Sequence, residues 1–395
     1  MASTLEDVRD ALSHEVAVSL ELLSDMALHG LPSDARGEVW RYLLHVQNPD
    51  KSRELASAVG RQYLYQLLPK QLADPLVVPR MRRDIRTHLQ SCLPLQTVIE
   101  PVAFLLERVL STYLLNNPDI VYSASLVLIC TPFLATQEAE VDVYCCFEQL
   151  MCRPEVRDLH VFSRGMPAAL AIPGGYSDSS VAPLAAGPPG TPTPSISDLV
   201  LSLKRLNTTH AGPPSPPPSS LLPLPPDDTG DAGDVSPCQG DGCTASSGEH
   251  SASSSSSNTN NSNGARTSSI HPAQANLSRF ILLLRVVLPD LYALFDEVEI
   301  DSRAWAAGWL SHLLAGELPL ASLLRLWDSY FASPEGVSLH PYVCVAILRQ
   351  FQDELDELDR HELLSFLRCL PHLDMEQILA DAHSIRLEVS EMNIM

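Results

Sequence analysis

From about residue 167 to 274 the sequence turns to Pro, Ser, Gly, Asn and Thr, with Pro213-Pro214-Ser215-Pro216-Pro217-Pro218 and a serine run from Ser253 to Ser257. Such a stretch has too little apolar surface to offset its ordering entropy, so disorder is expected there. Any folded body must then be assembled from two flanks, residues 1–165 and 276–390, around an insert at 166–275. One island in the insert, residues 196–206 (ISDLVLSLKRL), repeats apolar residues at helical spacing. It reads equally as a short helix, a docking motif or a chance apolar run.

Both flanks carry the apolar period of helices, and alternating strand patterns are scarce. Residues 16–28 repeat apolar side chains three and four apart and stop at Gly30, with Pro32 beyond; that is a helix end by the usual Gly and Pro signals. Residues 34–44, 98–115 and 138–151 continue the pattern. After the insert come 276–295, 304–314, 320–331, 341–351, 361–370 and 375–385. The expected fold class is all-α, with Trp305, Trp309 and Trp327 packed in a helical core.

Composition excludes several functions. Forty-eight acidic residues against 26 basic ones leave a net charge of -22, which argues against nucleic acid as a partner. The nine cysteines are scattered and show no zinc-ligand spacing, and those outside the insert fall on apolar helical stripes, where free cysteine packs as a small hydrophobe. His45, His88, His160, His312, His340 and His361 form no HExxH-type pattern, so no metal site is expected. Gly174-Gly175 lacks a following Lys-Ser or Lys-Thr, and no other phosphate loop appears, so neither a cofactor nor a nucleotide of its own is expected. Residues 1–20 carry acids where a secretory leader has a basic start. The longest apolar run, residues 280–288, is broken by Arg285 and too short to span a bilayer. The chain is therefore expected to be cytoplasmic, with no transmembrane segment.

Against this acidic background, Pro79-Arg80-Met81-Arg82-Arg83-Asp84-Ile85-Arg86-Thr87 places four arginines within seven residues. Guanidinium groups are permanently charged and present a planar fork of donors, suited to phosphate or carboxylate. A solvated helix face with local ion pairs is the plainer reading.

The order of motifs is similar to that of the TBC domain, the all-helical module of GTPase-activating proteins for Rab GTPases. Gly30-Leu31-Pro32, Arg36 and Val39-Trp40-Arg41-Tyr42-Leu43-Leu44 resemble the family's opening motif, and Arg83-Asp84-Ile85-Arg86-Thr87 resembles its arginine-finger motif. Residues 139–151 resemble the helix that follows its glutamine motif. After the insert, Asp290-Leu291-Tyr292, Trp309, Leu313-Leu314, Glu317-Leu318-Pro319-Leu320 and Leu324-Arg325-Leu326-Trp327-Asp328-Ser329-Tyr330-Phe331 follow the family's late helices nearly in register. The resemblance covers about residues 20–160 and 276–385.

It implies a partner, a Rab-family small GTPase in its GTP-bound form, and leaves room for peripheral recruitment to a membrane. It implies Arg86 as the catalytic finger, with Arg83, Asp84, Tyr122 and Ser123 meeting the GTPase. Two departures stand out. The family spaces its Asp and Arg by two residues, whereas only Ile85 separates Asp84 from Arg86, so Arg83 in another register is the alternative finger. The family's second finger, Tyr-x-Gln-Gly, corresponds to Tyr122-Ser123-Ala124-Ser125, and the alanine side chain can neither donate nor accept a hydrogen bond. Two functions are therefore expected: activation of a GTPase through the arginine, or a non-catalytic scaffold that binds a GTPase or organises a complex.

Overall fold

The computed structural model describes residues 4–92, 96–160, 272–333 and 336–392. The insert expected to be disordered, residues 196–206 within it included, lies outside the described residues. Among those described there are helices and connections but no strand, in agreement with the all-α expectation; residues 17 and 50 form one isolated bridge.

The N-terminal flank runs α1 (Leu5–Leu12), α2 (Leu20–Leu28), α3 (Ser33–Leu43), α4 (Lys51–Leu67), α5 (Val77–Cys92), α6 (Gln96–Asn116), α7 (Ala124–Thr136), α8 (Glu140–Met151) and the single turn α9 (Pro154–Arg157). The C-terminal flank runs α10 (Pro272–Val287), α11 (Pro289–Glu297), α12 (Ser302–Ser311), α13 (Leu320–Ala332), a 3-10 turn (Gly336–Leu339), α14 (His340–Gln350), α15 (Gln352–Leu355), α16 (Arg360–Arg368) and α17 (Met375–Glu391). Many helices start where a short polar side chain can accept the orphan N–H groups of a first turn. Thr4 with Asp7 and Asp359 with Glu362 form reciprocal capping boxes, and Ser19, Asp50, Asp301 and Asp374 cap α2, α4, α12 and α17.

Several boundaries differ from those read off the sequence; the helix expected over 375–385, for one, runs on to Glu391. The expected helix 16–28 begins only at Leu20. The expected helix 276–295 is two helices, because Pro289 opens α11 after Leu288 leaves helical geometry. The expected helix 304–314 ends at Ser311; Leu313 and Leu314 then adopt φ of 53° and 62°, a left-handed turn that leucine rarely takes.

The two flanks share one core. Trp40 of α3 packs on Phe331 of α13 at 4.9 Å between ring centroids, and Phe133 of α7 packs on Trp327 at 5.6 Å. Within this hub the fully buried Asp328 accepts N–H donors from Leu31 (3.0 Å), Trp40 Nε1 (2.8 Å) and Arg36 (Nε 3.0 Å, Nη2 3.1 Å). The motifs that most resemble the TBC pattern thus meet in space. Gly37 lets α3 approach α7 here: a Cβ would lie 1.9 Å from the Thr136 carbonyl oxygen. Trp309 and Trp327 are buried as expected, and the partly exposed Trp305 stacks edge-on against Trp309 at 4.9 Å.

Cys130, Cys146 and Cys344 are buried, as the apolar-stripe reading requires, and burial pushes their thiols up. Cys92, Cys152 and Cys369 depart from it: all three are exposed, at or just past helix ends, where little packs on them.

Candidate functional site

The arginine cluster lies on one continuous helix. Asp74 accepts N–H bonds from Leu76 (2.8 Å) and Val77 (3.0 Å), which sets the start of α5, and Pro79 falls in the first turn where its missing N–H costs nothing. No Gly or Pro follows before Cys92, so the helix runs through Asp84-Ile85-Arg86 unbroken. Met81, Ile85 and Leu89, four apart, form the buried stripe. The remaining positions, arginines included, are left toward the surface.

Each arginine has a different environment. Arg82 and Arg86, one turn apart, reach α6: Arg82 makes a two-pronged pair with Glu107 at 2.7 Å on both prongs, and Arg86 makes a longer one with Glu100, Nε to Oε1 at 3.2 Å and Nη2 to Oε2 at 3.5 Å. Arg80 lies 3.8 Å from Asp84 and over the Tyr122 ring at 5.9 Å. Arg83 is exposed and, among the described residues, has neither an ion pair nor a hydrogen-bond partner.

Beside the cluster, the strand-like Val121-Tyr122-Ser123 leads into α7. Tyr122 is buried and donates its hydroxyl to Asp84 Oδ2 at 3.0 Å. Burial and the adjacent Asp84 charge both push the phenol well above its usual range, so it stays a neutral donor. Ser123 turns the other way, with Oγ 3.5 Å from His160 Nδ1. The other ring nitrogen, Nε2, lies 3.0 Å from the Ser311 carbonyl, which can only accept, so Nε2 carries the proton and Nδ1 accepts from Ser123. Burial lowers the His160 pKa to about 4, which keeps this ring neutral.

Of the residues singled out from sequence, Arg83, Asp84, Arg86 and Tyr122 are therefore gathered around the α5 face, while the Ser123 hydroxyl is engaged with His160. Ala124 is the first residue of α7 and is exposed, with no side-chain polar group at that position. Gln137 is no substitute for the missing glutamine: it is fully buried, donating to the Gly37 carbonyl at 3.0 Å and accepting from Arg41 at 3.0 Å. Sequence reasoning missed Glu100 and Glu107. The signal existed, since Arg82 and Arg86 four apart and Glu100 and Glu107 seven apart are the spacings of facing helix stripes. Among the described residues no group of His, Cys, Asp or Glu is placed to hold a metal ion.

The profile of the Rab-GTPase-TBC domain matches residues 33–170 and 259–355. The chain is similar to TBC1 domain family member 22A of Homo sapiens, 40% identical over 103 residues that make up 24% of this chain and 20% of that protein. It is also similar to GTPase-activating protein gyp1 of Schizosaccharomyces pombe, 32% identical over 121 residues, 28% of this chain and 23% of that one. The chain spans about a fifth of the length of these curated relatives. The crystal structure of the Ypt/Rab-GAP domain of Gyp1p superposes with a TM-score of 0.60 over 98% of each chain at 14% identity, which is a likeness of fold.

Proposed function

The chain belongs to the Rab-GTPase-TBC domain family, and on that premise we propose that it is a GTPase-activating protein for a GTP-bound Rab-type GTPase, with Arg86 as the finger. GTP hydrolysis needs positive charge against the transferring phosphoryl oxygens, and an arginine supplied in trans is worth roughly 10³–10⁵ in rate. The observation that carries the reading is how loosely Arg86 is held. Its side chain is 38% exposed and its partner Glu100 is 65% exposed, at 3.2 Å. Exposed pairs of this kind contribute at most about 1 kcal/mol. The guanidinium can therefore leave one pair of oxygens for another, and Glu100 keeps it extended on the α5 surface until a phosphate arrives. Arg83 and Asp84 form the surrounding contact surface, with the buried Tyr122 bracing the Asp84 carboxylate from beneath.

A second reading rests on Ala124. Where the family pattern carries a water-positioning glutamine, α7 opens with an exposed methyl group. In this reading the domain binds a GTPase and organises a complex without accelerating hydrolysis, unless the GTPase keeps its own glutamine in place. In either reading the protein works in the cytoplasm on membrane trafficking, and in the first it acts on a partner's nucleotide.

The test is GTP turnover by a panel of Rab GTPases with the full chain, with Arg86→Ala and with Arg83→Ala. Stimulation of at least one Rab that falls by about 10²-fold or more in Arg86→Ala supports the finger. Loss in Arg83→Ala alone moves the finger to Arg83. Measurable binding with no stimulation of any Rab selects the scaffold reading, and Ala124→Gln should then raise turnover if the missing amide is the only defect.

A further inference from the structure

Among the described residues of α5 and α6, Phe104 is the one large apolar side chain left exposed, at 63%. A single exposed apolar group is ordinary on a protein surface. The surroundings of this one are not. Helix spacing sets it one turn beyond Glu100 and one turn before Glu107 and Arg108. Glu100 pairs with Arg86 at 3.2 Å and Glu107 with Arg82 at 2.7 Å, while Arg108 pairs with Glu140 at 3.2 Å and carries its guanidinium 5.6 Å from the centre of the Phe104 ring. The exposed ring is thus flanked by three ion pairs, and the cation–π contact from Arg108 steadies it on α6. Anchors of protein interfaces have this composition, an aromatic centre with a polar surround that keeps water out once a partner is seated.

Distance selects the occupant. Four residues of α-helix rise about 6 Å, so Phe104 stands one turn from Glu100, the carboxylate that must release Arg86 to a phosphate. A stable interface of ordinary size covers about 800 Å² on each partner, a disc of about 16 Å radius. A GTPase seated with its phosphate on Arg86 therefore covers Phe104 as well. We propose that Phe104 is an affinity anchor of the GTPase interface, its ring entering an apolar depression on the partner beside the bound nucleotide, and that it selects GTPases which have one. A partner with a charged or polar side chain at that place would have to desolvate it against the ring without a hydrogen-bond partner, and is discriminated against. This rests on the GTPase reading above and adds a separate element to it: Arg86 supplies rate, Phe104 supplies binding and choice of partner.

The test sets the full chain, Phe104→Ala and Arg86→Ala against the Rab panel, reading kcat and KM of GTP turnover and, for a Rab that is bound but not stimulated, the Kd of its GTP-loaded form. Phe104→Ala should raise KM, or Kd where there is no turnover, by at least about tenfold while kcat moves by less than about threefold, because the ring binds ground state and transition state alike. Arg86→Ala should give the opposite split, a fall in kcat with KM nearly kept. Phe104→Leu, still apolar and bulky, should recover most of the lost binding. The melting temperature of Phe104→Ala should match the parent's, since the ring is exposed, and Leu387→Gln, exposed on α17, should bind as the parent does. Binding of a Rab that Phe104→Ala leaves unchanged overturns this inference and leaves the finger standing. So does a loss carried by kcat alone, or a fall of several degrees in melting temperature, which would make the ring structural. A panel in which the parent binds no Rab overturns the GTPase reading and the anchor with it.

Discussion

Helices α13 and α5 both carry motifs that resemble the family pattern, and they handle charge in opposite ways. In α13 the Asp328 carboxylate has no exposure and meets four N–H donors from α3 and the turn before it. In α5 the arginines are exposed, held by single surface carboxylates or, for Arg83, by none. The buried motif fixes the fold of this chain, whether or not the chain catalyses. The exposed one holds charge where a partner can take it. A chain can therefore look strongly like its family in α13 and still depart from it in α5 and at Ala124, where chemistry would be done.

The contrast can be broken at its strongest point first. Asp328→Ala leaves the Arg36 guanidinium and the Trp40 N–H in the core without an acceptor, and should cost about 3–5 kcal/mol. Chemical denaturation reads this, and a loss below 1 kcal/mol would mean that the hub is held by its aromatic rings alone.

Next in size is a pH effect in the turn between α12 and α13. His312 Nδ1 lies 3.4 Å from Glu317 Oε2, both side chains nearly covered. Burial pushes the Glu317 carboxyl up to about 8 and, with the neighbouring His340, His160 and His88, pushes His312 down to about 3. Both are neutral in the fold near pH 7. Between about 4.5 and 8 an unfolded Glu317 is ionised while the folded one keeps its proton, so its contribution to stability falls as pH rises through that window. Glu317→Gln should remove this loss. The parent should lose more stability than the variant between pH 5 and pH 8, by on the order of 2–4 kcal/mol. Parallel curves for the two would place the carboxylate in water. Smallest is the change expected at α5. Arg86→Ala should move stability by less than about 0.5 kcal/mol, because only a surface pair is lost; a fall of several degrees in melting temperature would make Arg86 a structural residue.

The legible part of the fold was the part where packing imposes a period. Residues 320–331 read as a helix from sequence and form α13 almost to the residue. Helix α7 went unread because it is apolar on nearly every side, so no period marks it. Helix α4 went unread for the opposite reason, since its apolar row faces outward and its core side is polar apart from Tyr65. The left-handed Leu313 and Leu314 have no signal in their residue type; the turn they make is held from a distance, by the Trp327 N–H bond to the Leu313 carbonyl and the Leu370 N–H bond to the Glu317 carbonyl. At the site, the residues around Asp84 could be named from the motif. That Glu100 holds Arg86 and that His160 takes the Ser123 hydroxyl depends on how α6 and residue 160 come back against α5 and α7, which no local pattern states.

Asp328 also sets a schedule. The donors it satisfies lie 297, 292 and 288 residues earlier in the chain, at Leu31, Arg36 and Trp40. At translation rates of about 5–20 residues per second, α3 leaves the ribosome roughly 15–60 s before its acceptor is made. In that interval the Arg36 and Trp40 side chains can satisfy their donors only with water, so the nascent N-terminal flank exposes the apolar surface that Trp327 and Phe331 later cover. Such a chain cannot close this hub until α13 has been made, so the N-terminal flank cannot complete its core on its own.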